Sequence, residues 1–136
     1  MTQFQKAIEK VLKAHKQLVW FQSGQDFYLR LDQPNYDRLV IERHGETIIV
    51  GHYFEQNGDL MSDPEVELHY PDWTPVAITQ LLVGRREKFI EREGQMLVDK
   101  NFHRQVAPFL AMWGRNIDAQ GWATRATRTS SRWSEE

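Results

Sequence analysis

The chain reads as an α+β domain: an antiparallel meander sheet of five to seven strands, with N-terminal and C-terminal helices packed on one face. Three observations predict this. Apolar residues recur with helical period at both ends of the sequence, and with period two between residues 27 and 70. Turn-forming pairs, Pro34-Asn35, His44-Gly45 and Asn57-Gly58, separate the alternating segments at hairpin spacing. At 136 residues the chain has the length of one domain.

Residues 2–20 form the first element. Thr2 and Gln5 carry the capping-box spacing, and Phe4, Ile8, Val11, Leu12, Leu18 and Val19 share one face opposite Lys6, Lys10 and Lys13. His15 falls inside the apolar arc and is expected to be a core histidine with satisfied ring nitrogens rather than a functional titrating group. Ser23-Gly24 ends the helix. Phe27, Leu29 and Leu31 then alternate with Tyr28, Arg30 and Asp32, and Leu39 and Ile41 with Arg38, Val40 and Glu42. The segment 47–55 is the most apolar strand and is placed at the centre. Asn57-Gly58 closes it into a type I′ hairpin with a strand in which Val66, Leu68 and Tyr70 alternate with Glu65, Glu67 and His69.

Between residues 74 and 92 a helix and strands compete. Thr74-Pro75 suits a helix start. However, Val76, Ile78, Gln80 and Leu82 share no helical face with Phe89 and Ile90, so two strands are expected, about 75–82 and 86–92, turning at Gly84. A short third strand follows at 96–98. Residues 101–120 return to helical period through Phe102, Val106, Phe109, Leu110, Trp113 and Ile117, and Pro108 predicts a kink or a late helix start. From residue 123 the sequence ATRATRTSSRWSEE offers little to bury. The chain therefore divides into one globular domain, 1–122, and a flexible Arg-, Ser- and Thr-rich tail, 123–136.

Composition removes several classes of function. The absence of cysteine excludes disulfides, thiol catalysis and cysteine-ligated zinc or iron–sulfur centres. No apolar run approaches the roughly 20 residues of a membrane helix, so a cytoplasmic protein with no membrane association is expected. The net charge of −2 is unevenly laid out: +3 over residues 1–20, −8 over 21–72 and +2 over 101–136. From His44 to Gly84 there are seven acids and neither Lys nor Arg. That acidic stretch and a sequence pI near 6.2 argue against direct nucleic-acid binding, beyond a weak contact through Arg115, Arg125, Arg128 and Arg132.

The candidate site lies within the acidic stretch: His52, Glu55, Asp59, Asp63 and Glu65. An imidazole among carboxylates suits a divalent metal or an acid–base pair. A two-residue turn at Asn57-Gly58 sets Gln56 against Asp59 and His52 against Asp63 on one face, with Pro64 predicting a bulge that disturbs this register. The competing reading is a polar hairpin with its acids in water. The serines, 23, 62, 130, 131 and 134, sit in turns or the tail without a nucleophile elbow, and no Gly-rich loop cradles phosphate. A nuclease core would need a Lys among the carboxylates, and none is there. Trp113 is assigned to the core. Trp122, with Arg115 nearby, either anchors a partner or folds back over the core, and Trp133 is assigned to a solvated tail.

The segments Tyr28-Leu29-Arg30-Leu31, Leu39-Val40-Ile41-Glu42, the run His52 to Glu65, Trp73 with Pro75-Val76, and Trp113-Gly114-Arg115-Asn116 followed by Gln120-Gly121 carry a resemblance. Over about residues 27–122 the sequence resembles a small family of uncharacterised bacterial domains of unknown function, often encoded on plasmids and other mobile elements. The resemblance implies no activity and gives no residue a catalytic role. Two functions are carried forward. The first is a non-catalytic module that recognises a protein partner or itself, without a cofactor. The second is a metal-dependent hydrolase using His52, Glu55, Asp59, Asp63 and Glu65.

Overall fold

Thr2 opens helix α1 (Gln3–Ala14), its hydroxyl accepting the Gln5 N–H at 3.1 Å as the capping spacing predicts. The computed structural model describes residues 1–131. Phe4, Ala7, Ile8, Val11 and Leu12 form the buried stripe of α1. The expected single helix to residue 20 breaks at Lys16, which adopts φ 60°. A short helix α2 (Leu18–Gln22) follows. The break rotates Phe21 into the core and leaves Val19 76% exposed, although period alone placed Val19 inside.

The strands are β1 (Phe27–Asp32), β2 (Arg38–His44), β3 (Thr47–Gln56), β4 (Asp59–His69), β5 (Thr74–Gln80) and β6 (Gly84–Glu87), then β7 (Phe89–Arg92) and β8 (Gln95–Val98). Helix α3 (Lys100–Ala119) and β9 (Thr127–Ser131) complete the described chain. Seven strands make one antiparallel sheet in the order β6-β5-β4-β3-β2-β1-β9. The expected α+β class and meander are therefore observed. Asn57 and Gly58 carry φ of 53° and 84°, the two positive angles of a type I′ turn, and set Gln56 opposite Asp59.

The segment 86–92 is not one strand. Lys88 donates its N–H to the Val76 carbonyl at 2.8 Å, and its own carbonyl accepts Asp99 N–H at 2.8 Å. This pivot sends β7 out of the main sheet to pair with β8 in a separate hairpin.

Alternation turns Phe27, Leu29, Leu31, Leu39, Ile41, Ile48, Val50, Val66, Leu68 and Ile78 into the core shared with the helices. Helix α3 contributes Phe102, Val106, Leu110, Trp113 and Ile117, and runs unbroken through Pro108. Pro108 and Arg104, whose carbonyl loses its helical partner, are both exposed, so the proline sits on the solvent side of the helix. The helices approach closely at Gly114, where a Cβ would stand 3.0 Å from the Phe4 Cα and 3.1 Å from the Gln3 carbonyl oxygen. Among the described residues no helix is long and apolar enough to cross a membrane.

Beyond α3, Gly121 at φ 82° turns the chain back and Trp122 is completely buried. Ala123 and Ala126 pack against the core, and β9 pairs with β1. The flexible segment expected from residue 123 is thus a turn and an edge strand as far as 131. Composition pointed to disorder because it counts side chains, whereas β9 is held by backbone pairing. Arg132 and Trp133 lie outside the described residues.

Candidate functional site

The geometry of the acidic hairpin follows from one irregularity. Gly51 pairs with Glu65 and Tyr53 with Ser62, so Asp63 and Pro64 both lie opposite His52. This is the bulge that Pro64 predicts, and it parts the five expected residues.

His52 and Asp63 come together on one side. The His52 ring lies 5.6 Å from both Trp113 and Trp122, and its Nδ1–H donates to the Asp37 carbonyl at 3.2 Å. A cavity of about 170 Å³ beside it is lined by Tyr36, Asp37, His52, Asp63 and Gln120. Asp63 accepts the Leu81 N–H on Oδ1 at 3.1 Å. Glu65 belongs to the uncovered face of the sheet, where it accepts the Tyr53 hydroxyl proton. Gly51 makes room there: a Cβ would meet the Tyr53 ring at 3.0 Å, so the ring lies over the glycine. The surrounding depression of about 230 Å³ is lined by Tyr28, Arg38, Val40, Glu42, Tyr53, Leu60 and Glu65. Glu55 is exposed, 4.0 Å from the Arg38 guanidinium, and Asp59 sits exposed at the hairpin end. Among the described residues no three His, Asp or Glu side chains gather around a point that would hold a metal ion.

Burial holds the His52 imidazole below its usual range, with the backbone at Asp37 and Arg38 and the charges of Asp37 and Asp63 opposing that effect. Burial, then the bond to Glu65, raises Tyr53 well above the ordinary phenol value. A bond to Glu42 raises His44. The sign for stability follows. Above the ordinary imidazole value of 6.5, His52 is neutral in folded and unfolded chains, and its contribution is fully present. As pH falls below that value the unfolded chain binds the proton first, so stability is lost. His52→Phe is expected to flatten the fall in melting temperature between about pH 7 and pH 5. His44 and His69 act in the opposite sense but are common to both proteins. Identical pH profiles for the two proteins would contradict the assignment.

His15 is half-buried rather than a core residue, and one of its ring nitrogens is bonded, Nε2–H donating to the Trp122 carbonyl at 2.9 Å. Trp122 is no surface anchor: it is 0% exposed, its Nε1–H donates to Gln120 at 3.0 Å, and its ring lies 5.9 Å from Tyr36. Arg115 remains exposed on α3.

The strongest surface feature adjoins the acidic hairpin, and the strand assignment over 75–82 hid it. At the β5–β6 turn, Leu82 is 100% and Val83 62% exposed, with Leu60 of β4 62% exposed beside them. The groove between is about 530 Å³, bounded by Leu60, Met61 and Ser62 on one side and residues 79–84 on the other. The turn is fixed by the Asp63 bond to Leu81 N–H and by Val83 N–H donating to the Gln80 carbonyl at 3.2 Å. The available signal was the run Leu81-Leu82-Val83 set directly against the turn glycine, Gly84.

A family model described as a domain of unknown function (DUF6908) matches residues 6–123. No curated protein and no solved structure matches the chain.

Proposed function

This chain belongs to the DUF6908 family of domains of unknown function, and we propose that it is a non-catalytic protein-interaction module that docks a partner in the groove beside Leu82. The observation that carries this reading is the fully exposed Leu82 between two other exposed apolar residues, on a turn held in one shape. Monomer surfaces seldom gather large apolar residues at one point unless something covers them. A preformed turn also lowers the ordering cost of binding. Asp59 and Asp63 precede and follow the Leu60-Met61-Ser62 wall of the groove in the chain, inside the stretch without Lys or Arg. The fitting partner is a protein segment with an apolar anchor and basic neighbours, drawn in by that charge.

Leu82→Asp changes a surface residue and is expected to leave stability within about 0.5 kcal/mol. Binding of a purified partner is expected to weaken at least about 10-fold in this variant, and to weaken with added salt. Equal affinity for the wild-type and Leu82→Asp chains sinks the reading. Light scattering distinguishes a second copy as occupant, through self-association that Leu82→Asp abolishes.

A further inference from the structure

The two edges of the seven-stranded sheet are closed in different ways. At one end β6 is four residues, Gly84-Arg85-Arg86-Glu87, short and charged, which discourages further pairing. At the other end β1 is fixed by three fully buried side chains, Phe27, Leu29 and Leu31, and its outer backbone groups face β9. β9 is lightly attached. It makes four residue pairings with β1, broken by a register shift between Arg30 and Leu31. Thr127, Arg128 and Thr129 are exposed, and among these residues the Thr129 hydroxyl is tied to the Arg30 carbonyl and the Asp32 carboxylate. Among the described residues, the last packed against the core, Trp122, Ala123 and Ala126, precede the strand. The family match also ends at residue 123, before β9 begins.

We propose that the outer edge of β1 is a strand-addition site, that β9 is its occupant in cis, and that an extended Ser-, Thr- and Arg-rich segment of a protein partner takes the same edge when β9 leaves. Main-chain hydrogen bonds along the edge supply the affinity, as in other strand-addition complexes. Selectivity comes from Asp32, which Arg30 orients through a 3.1 Å bond from its Nε–H and which accepts the hydroxyl of residue 129. A Thr or Ser in that register is favoured and an acidic residue is repelled. The site lies at the far edge of the sheet from the Leu82 groove and does not depend on it.

The test uses the full chain carrying Thr127→Pro and Thr129→Pro, which removes two backbone donors from β9 and denies it the ladder. The probe is a fluorescein-labelled synthetic peptide of residues 126–131, ATRTSS. The Pro variant is expected to keep the wild-type near-ultraviolet signal of its buried tryptophans. It is expected to bind the peptide at least about 10-fold more tightly than the wild-type chain, whose edge is already filled. Asp32→Ala in the Pro background is expected to weaken that binding, and the peptide with Pro at both Thr positions is expected not to bind. A folded Pro variant that binds the peptide no better than wild type overturns the proposal. Loss of the native tryptophan signal also overturns it, because β9 would then be part of the folding unit and not a removable occupant.

Discussion

Trp122→Ala is expected to lower the unfolding free energy by about 3–5 kcal/mol, the range for removing a fully buried large aromatic side chain. The indole is 0% exposed and fills the space between Tyr36 and His52. Its own carbonyl accepts His15 Nε2–H at 2.9 Å, joining the end of α1 to the chain beyond α3. Truncation therefore opens a cavity and loosens the closure that holds two helices over one sheet face. Urea unfolding should show a lower midpoint with an unchanged slope, since the surface exposed on unfolding barely changes. The alternative role weighed from sequence, an exposed partner anchor, makes the opposite forecast: a wild-type midpoint with binding lost. A Trp122→Ala chain of wild-type stability would therefore remove the buried assignment and restore the anchor. Trp122→Phe offers a graded check, because it keeps an aromatic ring but loses the Nε1–H bond to Gln120.

Where local pattern and global fold agree, the sequence was sufficient. The alternation over Phe27, Leu29 and Leu31 and over Leu39 and Ile41 placed inward residues correctly, because a half-covered sheet enforces period two. Asn57-Gly58 fixed a hairpin because few other pairs accept two positive φ angles. The failures share a different cause. Lys16 takes a left-handed conformation that its residue type does not announce, so the first helix was drawn too long. Lys88 redirects the chain through two backbone bonds that involve no side chain. β9 was invisible for the same reason: a polar segment gains a ladder from the β1 edge, and composition holds no record of that edge.

The site was half legible. Pro64 marked the bulge, and His52 does meet Asp63, but the same bulge and the alternation send Glu65 to the uncovered face and leave Glu55 and Asp59 at the hairpin end. Carboxylates adjacent in sequence were thus dispersed by sheet geometry. The apolar ridge at Leu82 was missed because alternation through Val76, Ile78, Gln80 and Leu82 carried the strand two residues past its end at Gln80.

Arg43 is the second position where a large loss is expected, and the sequence held its clue. Continuing Leu39 and Ile41 by two residues puts Arg43 on the inward face of β2, a place where a cation costs stability unless it is held. It is 7% exposed. Its Nε–H donates to the Gly45 carbonyl at 2.7 Å and Nη1–H to the Phe21 carbonyl at 2.9 Å, while its Cζ stands 3.5 Å from the centre of the Tyr70 ring. One side chain thereby joins α2, the β2–β3 turn and the end of β4. Arg43→Met keeps most of the stem but leaves both carbonyls without their charged donor, so a loss of about 3 kcal/mol is expected in urea unfolding. Amides of α2 should also exchange faster, since Phe21 loses its tie to the sheet. Arg43→Lys separates charge from shape. An ammonium restores the charge but lacks the planar fork that reaches two carbonyls while stacking on a ring. It is expected to recover less than half of the loss. Full recovery by Lys would show that charge alone holds this corner, and wild-type stability in Arg43→Met would show that Arg43 does not hold it at all.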